Sequence, residues 1–140
     1  MSEQVKAALK VEGFGVLSEI DVRKTLKQKL DVEVPEQIIL GACNPKLAHA
    51  SLQAEPDLGL LLPCNVTVRI DQGVTLVSIV DAEKMLGMVG NAALTPVAKE
   101  ASERLQRVLD SLPAAARAIV QAAEGKVPPR QGSHHSLTKI

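Results

Sequence analysis

The sequence predicts an α+β fold: a small mixed four-stranded sheet packed against helices, with a helical extension at the C-terminal end. Three observations lead there. The chain has 140 residues, 46% apolar and 23% charged, which suits one hydrophobic core and is too short for two full-sized domains. Four apolar stretches of strand character alternate with segments whose apolar residues recur at helical spacing. The strand connections also differ, since a tight turn joins the last two strands as a hairpin while a helix separates the middle two, so antiparallel and crossover pairings are both expected.

Taken in order, Val5, Ala8 and Leu9 lie on one side of a first helix that Gly13 stops. Phe14 to Ile20 follows as a strand. Asp21 caps a second helix with Val22, Leu26 and Leu30 inward and Arg23, Lys24, Lys27 and Lys29 outward. Beyond Pro35, Gln37 to Cys43 reads as a buried strand. Asn44 as cap and Pro45 at the first helical position open a third helix, which ends before Pro56. Leu58 to Ile70 is predicted as one long strand, apolar at first and alternating from Val66 onward. Asp71-Gln72-Gly73 turns it into a partner strand, Val74 to Val80. Asp81 caps a short helix carrying Met85, Leu86 and Val89, and a longer helix from Thr95 shows Val97, Ala101, Leu105, Val108 and Leu112 on one stripe up to Pro113. The domain therefore spans 1–112, an alanine-rich extra helix 113–125, and a flexible basic tail 126–140.

Composition removes several functions. Sixteen basic and sixteen acidic residues leave no net field to draw nucleic acid or an anionic membrane. A single aromatic residue, Phe14, leaves nothing for base stacking or an aromatic cage. No uncharged run approaches the ~20 residues of a membrane span, and the N-terminus lacks a signal-peptide pattern, so a soluble cytoplasmic chain without nucleic-acid or membrane partners is expected. Residues 1–113 hold 12 basic and 15 acidic groups and residues 114–140 hold four and one, so the tail carries the positive charge.

The informative feature is a local echo. Leu40-Gly41-Ala42-Cys43-Asn44-Pro45 and Leu62-Pro63-Cys64-Asn65-Val66 each run a hydrophobic strand into Cys-Asn. With a helical crossover between them, the two strands are expected to be parallel and both cysteines to arrive at one rim of the sheet, backbones ~5 Å apart if the strands are neighbours. Cys43 precedes a helix N-terminus, a setting that favours a thiolate. Pro63 lacks a ladder donor, so a bulge or an edge is expected beside Cys64, and Gly41 adds to the backbone irregularity around a pocket. Each piece also has a plain alternative: cysteine packs as a small hydrophobe, and Asn44 caps a helix. Asn65, an amide in what reads as a buried strand, needs a backbone or ligand partner.

Other signals carry less. Gly13-Phe14-Gly15 stops a helix and is no phosphate loop. His49 stands alone on a helix. His134 and His135 are adjacent in the tail and fall short of a structural zinc site, as do two cysteines, whereas a copper(I) ion accepts two thiolates. Ser18, Glu19 and Asp21 have no histidine beside them to make a nucleophile and base.

Four blocks together, Glu12-Gly13-Phe14-Gly15-Val16-Leu17, Glu19-Ile20-Asp21-Val22, Ile39 to Pro45 and Leu60 to Val66, resemble the bacterial and archaeal family catalogued as domain of unknown function 302 over roughly residues 3–112. The resemblance implies a compact α+β domain, commonly a homodimer, and no established reaction.

Three functions follow as expectations. The first is a small-ligand or soft-metal binding module with a pocket near Gly41, Cys43, Asn44, Pro63, Cys64 and Asn65; it leans away from an enzyme, with no catalytic residue assigned, cofactors unknown, and Cys43 and Cys64 as the candidate metal ligands. The second is a thiol-dependent enzyme or a sulfur or persulfide carrier using Cys43 with Cys64. The third is a structural or interaction domain with no small-molecule site.

Overall fold

The computed structural model describes residues 1–113 and the backbone of 117–120. Helix α1 (Ser2–Val11) leads through Gly13, at φ +84°, into β1 (Gly15–Asp21). Helix α2 (Val22–Leu30) follows, then β2 (Gln37–Cys43), α3 (Pro45–Ala54), a 3-10 segment (Pro56–Leu61), β3 (Cys64–Asp71) and β4 (Val74–Val80). Helix α4 (Ala82–Gly87), a short 3-10 turn (Ala92–Leu94), α5 (Thr95–Asp110) and β5 (Arg117–Val120) complete the chain as described. The fold is α+β. Strands β1 to β4 lie side by side in sequence order, each antiparallel to the next, and β5 adds parallel to β4.

Local chemistry accounts for most of the element boundaries. Asp21 Oδ1 accepts from the Lys24 amide at 3.0 Å and Asp81 Oδ1 from the Lys84 amide at 3.1 Å, so both act as helix caps. Gln72 and Gly73 take positive φ, 52° and 79°, the two-residue hairpin geometry whose twist matches the flanking strands. One face of the sheet presents Leu40 and Ala42, Val66 and Val68, and Val77 and Ile79 to Val5 and Leu9 of α1 and to Ala101, Leu105, Val108 and Leu109 of α5. A second cluster, Leu58, Met85, Leu86, Leu94 and Ala98, closes the end of the domain where β3 begins. Helix α2 differs from the rest: none of its residues is buried, and Leu30, expected inward, is 67% exposed. No helix among the described residues is long and apolar enough to cross a membrane.

Three expectations need correcting. Residues 58–63 are not strand. Pro56 starts a helical turn, and Leu58 and Leu61 stand three apart, which puts both on the second cluster, so β3 begins only at Cys64. As a consequence β2 and β3 are antiparallel rather than parallel: α3 and the 3-10 segment make an excursion from the end of β2 and return to that same end. Finally, the periodicity predicts a helix over 113–125, yet Arg117–Val120 is extended and hydrogen-bonded to β4. The free edge of β4 offers unpaired backbone groups, Ile119 and Val120 are β-branched types suited to a strand, and pairing there outweighs the helical preference that the alanine-rich sequence carries. Residues 114–116 and 121–125 of that segment and the tail 126–140, with His134 and His135, lie outside the described residues.

Candidate functional site

The antiparallel arrangement joins the cysteines by a route other than the expected crossover. The last residues of β2 lie beside the first residues of β3, with Ala42 opposite Cys64 and Gly41 opposite Asn65. Cys64 thus shares the inward face with Val66 and Val68, two and four residues on. Cys43, one step beyond Ala42, ends the strand. Both are free thiols, partly buried, and both line one cavity of about 290 Å3.

Each wall of this cavity has a local cause. The floor is the strand ends. Leu47, Ala48, Ser51 and Leu52 of α3 form one side, and Val97 and Ala101 of α5 another. Asn44 holds α3 in place. Its Oδ1 accepts from the Leu47 amide at 3.3 Å, and its Nδ2 donates to the Glu12 carbonyl at 3.5 Å. The same carbonyl accepts from Arg104 Nη1 at 3.1 Å, while Glu12 Oε1 accepts from Arg107 Nε at 2.9 Å, so the end of α1, the start of α3 and the middle of α5 meet at one residue. Asn44 lines the cavity but has its amide spent on this junction.

The mouth depends on a bulge. Val16 pairs with Ala42 and Ser18 with Gly41, so Leu17 is an extra residue in β1 with no partner across the ladder. A bulge re-aims the side chain it carries. Leu17 lines the cavity while remaining 71% exposed, and Leu52 on the opposite wall is 38% exposed. Two leucines therefore stand at the rim. Sequence inspection missed Leu17, whose only sign is that strict alternation fails between Val16 and Ser18.

The described lining of the cavity is uncharged. Among the described residues lining it there is no Asp, Glu, Lys, Arg or His. The Ser51 hydroxyl folds back to donate to the Leu47 carbonyl at 2.7 Å, which removes one of the few polar groups from the interior. Burial pushes the Cys64 thiol up from 9.0 to about 11, with the neighbouring Cys43 adding to the shift, so Cys64 is a neutral thiol at physiological pH.

Of the six residues singled out from sequence, Cys43, Asn44, Pro63 and Cys64 line the cavity. Asn65 does not. It is exposed on the other face of β3, where its amide is open to solvent, and the buried setting assumed for it came from placing the strand start six residues too early. Gly41 is also outside the lining: a Cβ there would stand 2.7 Å from Pro63 Cγ and against the Ser18 hydroxyl, so the glycine lets Pro63 and Ser18 close over the outer face. No group of three or more His, Cys, Asp or Glu able to hold a metal exists among the described residues. A second hollow, about 320 Å3, lies between α4 and the start of α5 and is lined by Glu83, Asn91 and Thr95 among others. Its Asn91 is already engaged with the Ala54 carbonyl and the Ala93 amide, which leaves that hollow without a directed polar group from the asparagine.

Comparison with known proteins matches residues 1–112 to the model of a family described as "Domain of unknown function DUF302". Among solved structures, the fold is similar to that of an uncharacterized conserved DUF302 protein from Bacillus stearothermophilus, with 34% sequence identity, a TM-score of 0.71, and coverage of 78% of this chain and 85% of that one. No curated protein matches.

Proposed function

We propose, from the premise that this chain belongs to the DUF302 family, that it is a binding module for a small, uncharged and mainly apolar ligand held at the meeting of β2 and β3. One observation carries the proposal: a cavity of about 290 Å3 with no charged residue among the described ones that line it, two thiols within it and partly exposed leucines at its rim. That volume is near the lower end of small-molecule sites, roughly 300–1,000 Å3, and its lining is of the kind that binds through apolar contact. Charged ligands are disfavoured there because no counter-charge offsets their desolvation.

The thiol-enzyme and sulfur-carrier reading fits less well. That reading makes Cys43 the nucleophile and Cys64 the thiol that resolves it; resolution requires the Cys64 thiolate, and Cys64 holds its proton to about pH 11. A soft-metal reading is supported by the two sulfurs and limited by them, since two donors suit only ions content with two-fold coordination.

Binding of the neutral probe N-phenyl-1-naphthylamine tests the proposal, against a protein with no Trp or Tyr to interfere. We expect saturable fluorescence enhancement with the intact chain. Filling the cavity from α3 by Ala48→Phe is expected to weaken it at least about tenfold, ~1.4 kcal/mol, with the circular dichroism spectrum unchanged. Unchanged affinity in that variant overturns the assignment.

A further inference from the structure

The two sulfurs offer a chemistry that a purely apolar ligand does not use. They are on neighbouring strands, at a residue paired with Ala42 and at the residue after Ala42, and they face one cavity. A ligand that uses both must satisfy three conditions. It must accept two donors and no more, because no third His, Cys, Asp or Glu completes a cluster among the described residues. It must bring no net charge into a lining without counter-charges. It must also fill space, since a bare ion between two sulfurs leaves most of about 290 Å3 empty and forfeits the dispersion contacts of the leucine walls.

Bare ions fail at least one condition. A monovalent soft ion between two thiolates is an anion of net charge −1, zinc seeks about four donors, and a linear divalent ion is neutral when bound but fills nothing. From these constraints we infer that Cys43 and Cys64 form a bidentate site for an uncharged organic group carrying a trivalent thiophilic centre, of which a monosubstituted arsenical, R–As(OH)2, is the simplest member. The inference rests on the cavity proposed above as the place where R lodges.

The condensation balances without charge or electron transfer. R–As(OH)2 and two Cys–SH give R–As(S–Cys)2 and two waters. Two As–O and two S–H bonds break, two As–S and two O–H bonds form, each thiol proton leaves on a departing hydroxide as water, and arsenic stays trivalent. No thiolate need persist in the cavity, which suits a Cys64 that resists ionisation.

Phenylarsonous acid added to the full reduced chain tests this. We expect one adduct per chain by native mass spectrometry, loss of both free thiols, and retention against a monothiol competitor but release by 2,3-dimercaptopropanol. Two linked bonds hold by effective concentration, so Cys43→Ser and Cys64→Ser should each lower retention by about 100-fold or more. Apparent affinity should stay flat from pH 6 to 8, since no proton is released, whereas Hg2+ used alongside should bind more tightly as pH rises. Equal retention by either single variant, or adducts only after denaturation, overturns the inference. The double variant Cys43→Ser/Cys64→Ser, checked for fold by circular dichroism, separates the two proposals. If it still binds N-phenyl-1-naphthylamine while the wild-type chain refuses the arsenical, the dithiol site alone is wrong. If the wild-type chain takes neither, the cavity assignment is wrong as well.

Discussion

Cys43-Asn44 and Cys64-Asn65 are the same dipeptide in two different structural positions. The first ends a strand and opens a helix, so its asparagine turns inward to cap α3 and to reach Glu12. The second opens a strand, so its asparagine follows the pleat and points to water while the cysteine faces the core. What decides the fate of the dipeptide is whether helix or strand follows it. The element after the pair determines where the amide goes; the sulfurs converge because the ends of antiparallel neighbours are adjacent.

The strongest way to break this convergence is to disturb the outer face where the two elements touch. Gly41 of the first element lies under Pro63 of the second, and a methyl group at Gly41 would stand 2.7 Å from Pro63 Cγ. The proline ring cannot swing away as a long side chain does. Gly41→Ala is therefore expected to cost about 3 kcal/mol, the upper part of the range for overpacked sites, read as a fall in the urea midpoint. Adding Ser18→Ala relieves only the hydroxyl contact and should recover a minor part of that loss.

A pH titration tests the burial of Cys64, the sulfur of the second element. The Cys64 pKa is raised by burial to about 11 against 9.0 for an unperturbed thiol. Between those values the unfolded chain loses the proton while the folded chain keeps it, so the folded state binds more protons and stability falls as pH rises. The loss is complete above about pH 11 and absent below about pH 9. Two pKa units correspond to at most on the order of 2–3 kcal/mol. Denaturant midpoints measured at pH 8 and pH 10.5 should diverge in the wild-type chain, and Cys64→Ala should remove most of the difference.

How far the sequence discloses this architecture depends on the kind of signal. Caps and turns are legible because one residue does the work within one turn of chain: Asp21, Asn44, Asp81 and the Gln72-Gly73 pair all act where the sequence places them. Strand β2 is legible because its apolar run matches its length. The direction of β3 is not, because Leu58 to Leu62 is apolar under strand and helix alike, and only packing against Met85 and Leu86 selects the 3-10 turn. Leu17 is illegible for a related reason. A bulge is a property of the pairing between two strands, and a single strand's sequence contains no register. Four of the six expected site residues reached the cavity even though the strand direction was reversed, since nearness of the two Cys-Asn elements survives either direction when their ends are adjacent.

The smallest effect is the cleanest test of the comparison, because it changes the same atom set in both elements. Asn44→Ala deletes an acceptor for the Leu47 amide and a donor to the Glu12 carbonyl, which still has Arg104. Loss of an N-cap costs about 1 kcal/mol, and the retained arginine keeps the second deletion from adding much. Asn65→Ala deletes a solvent-exposed amide, and a substitution at such a surface site is expected within about ±0.5 kcal/mol. Urea denaturation of the two single variants under identical conditions should therefore show a clear shift for Asn44→Ala and next to none for Asn65→Ala. Equal shifts would mean that Asn65 has a role in the folded chain which its exposed position on β3 does not explain, and the distinction drawn between the two dipeptides would fail with it.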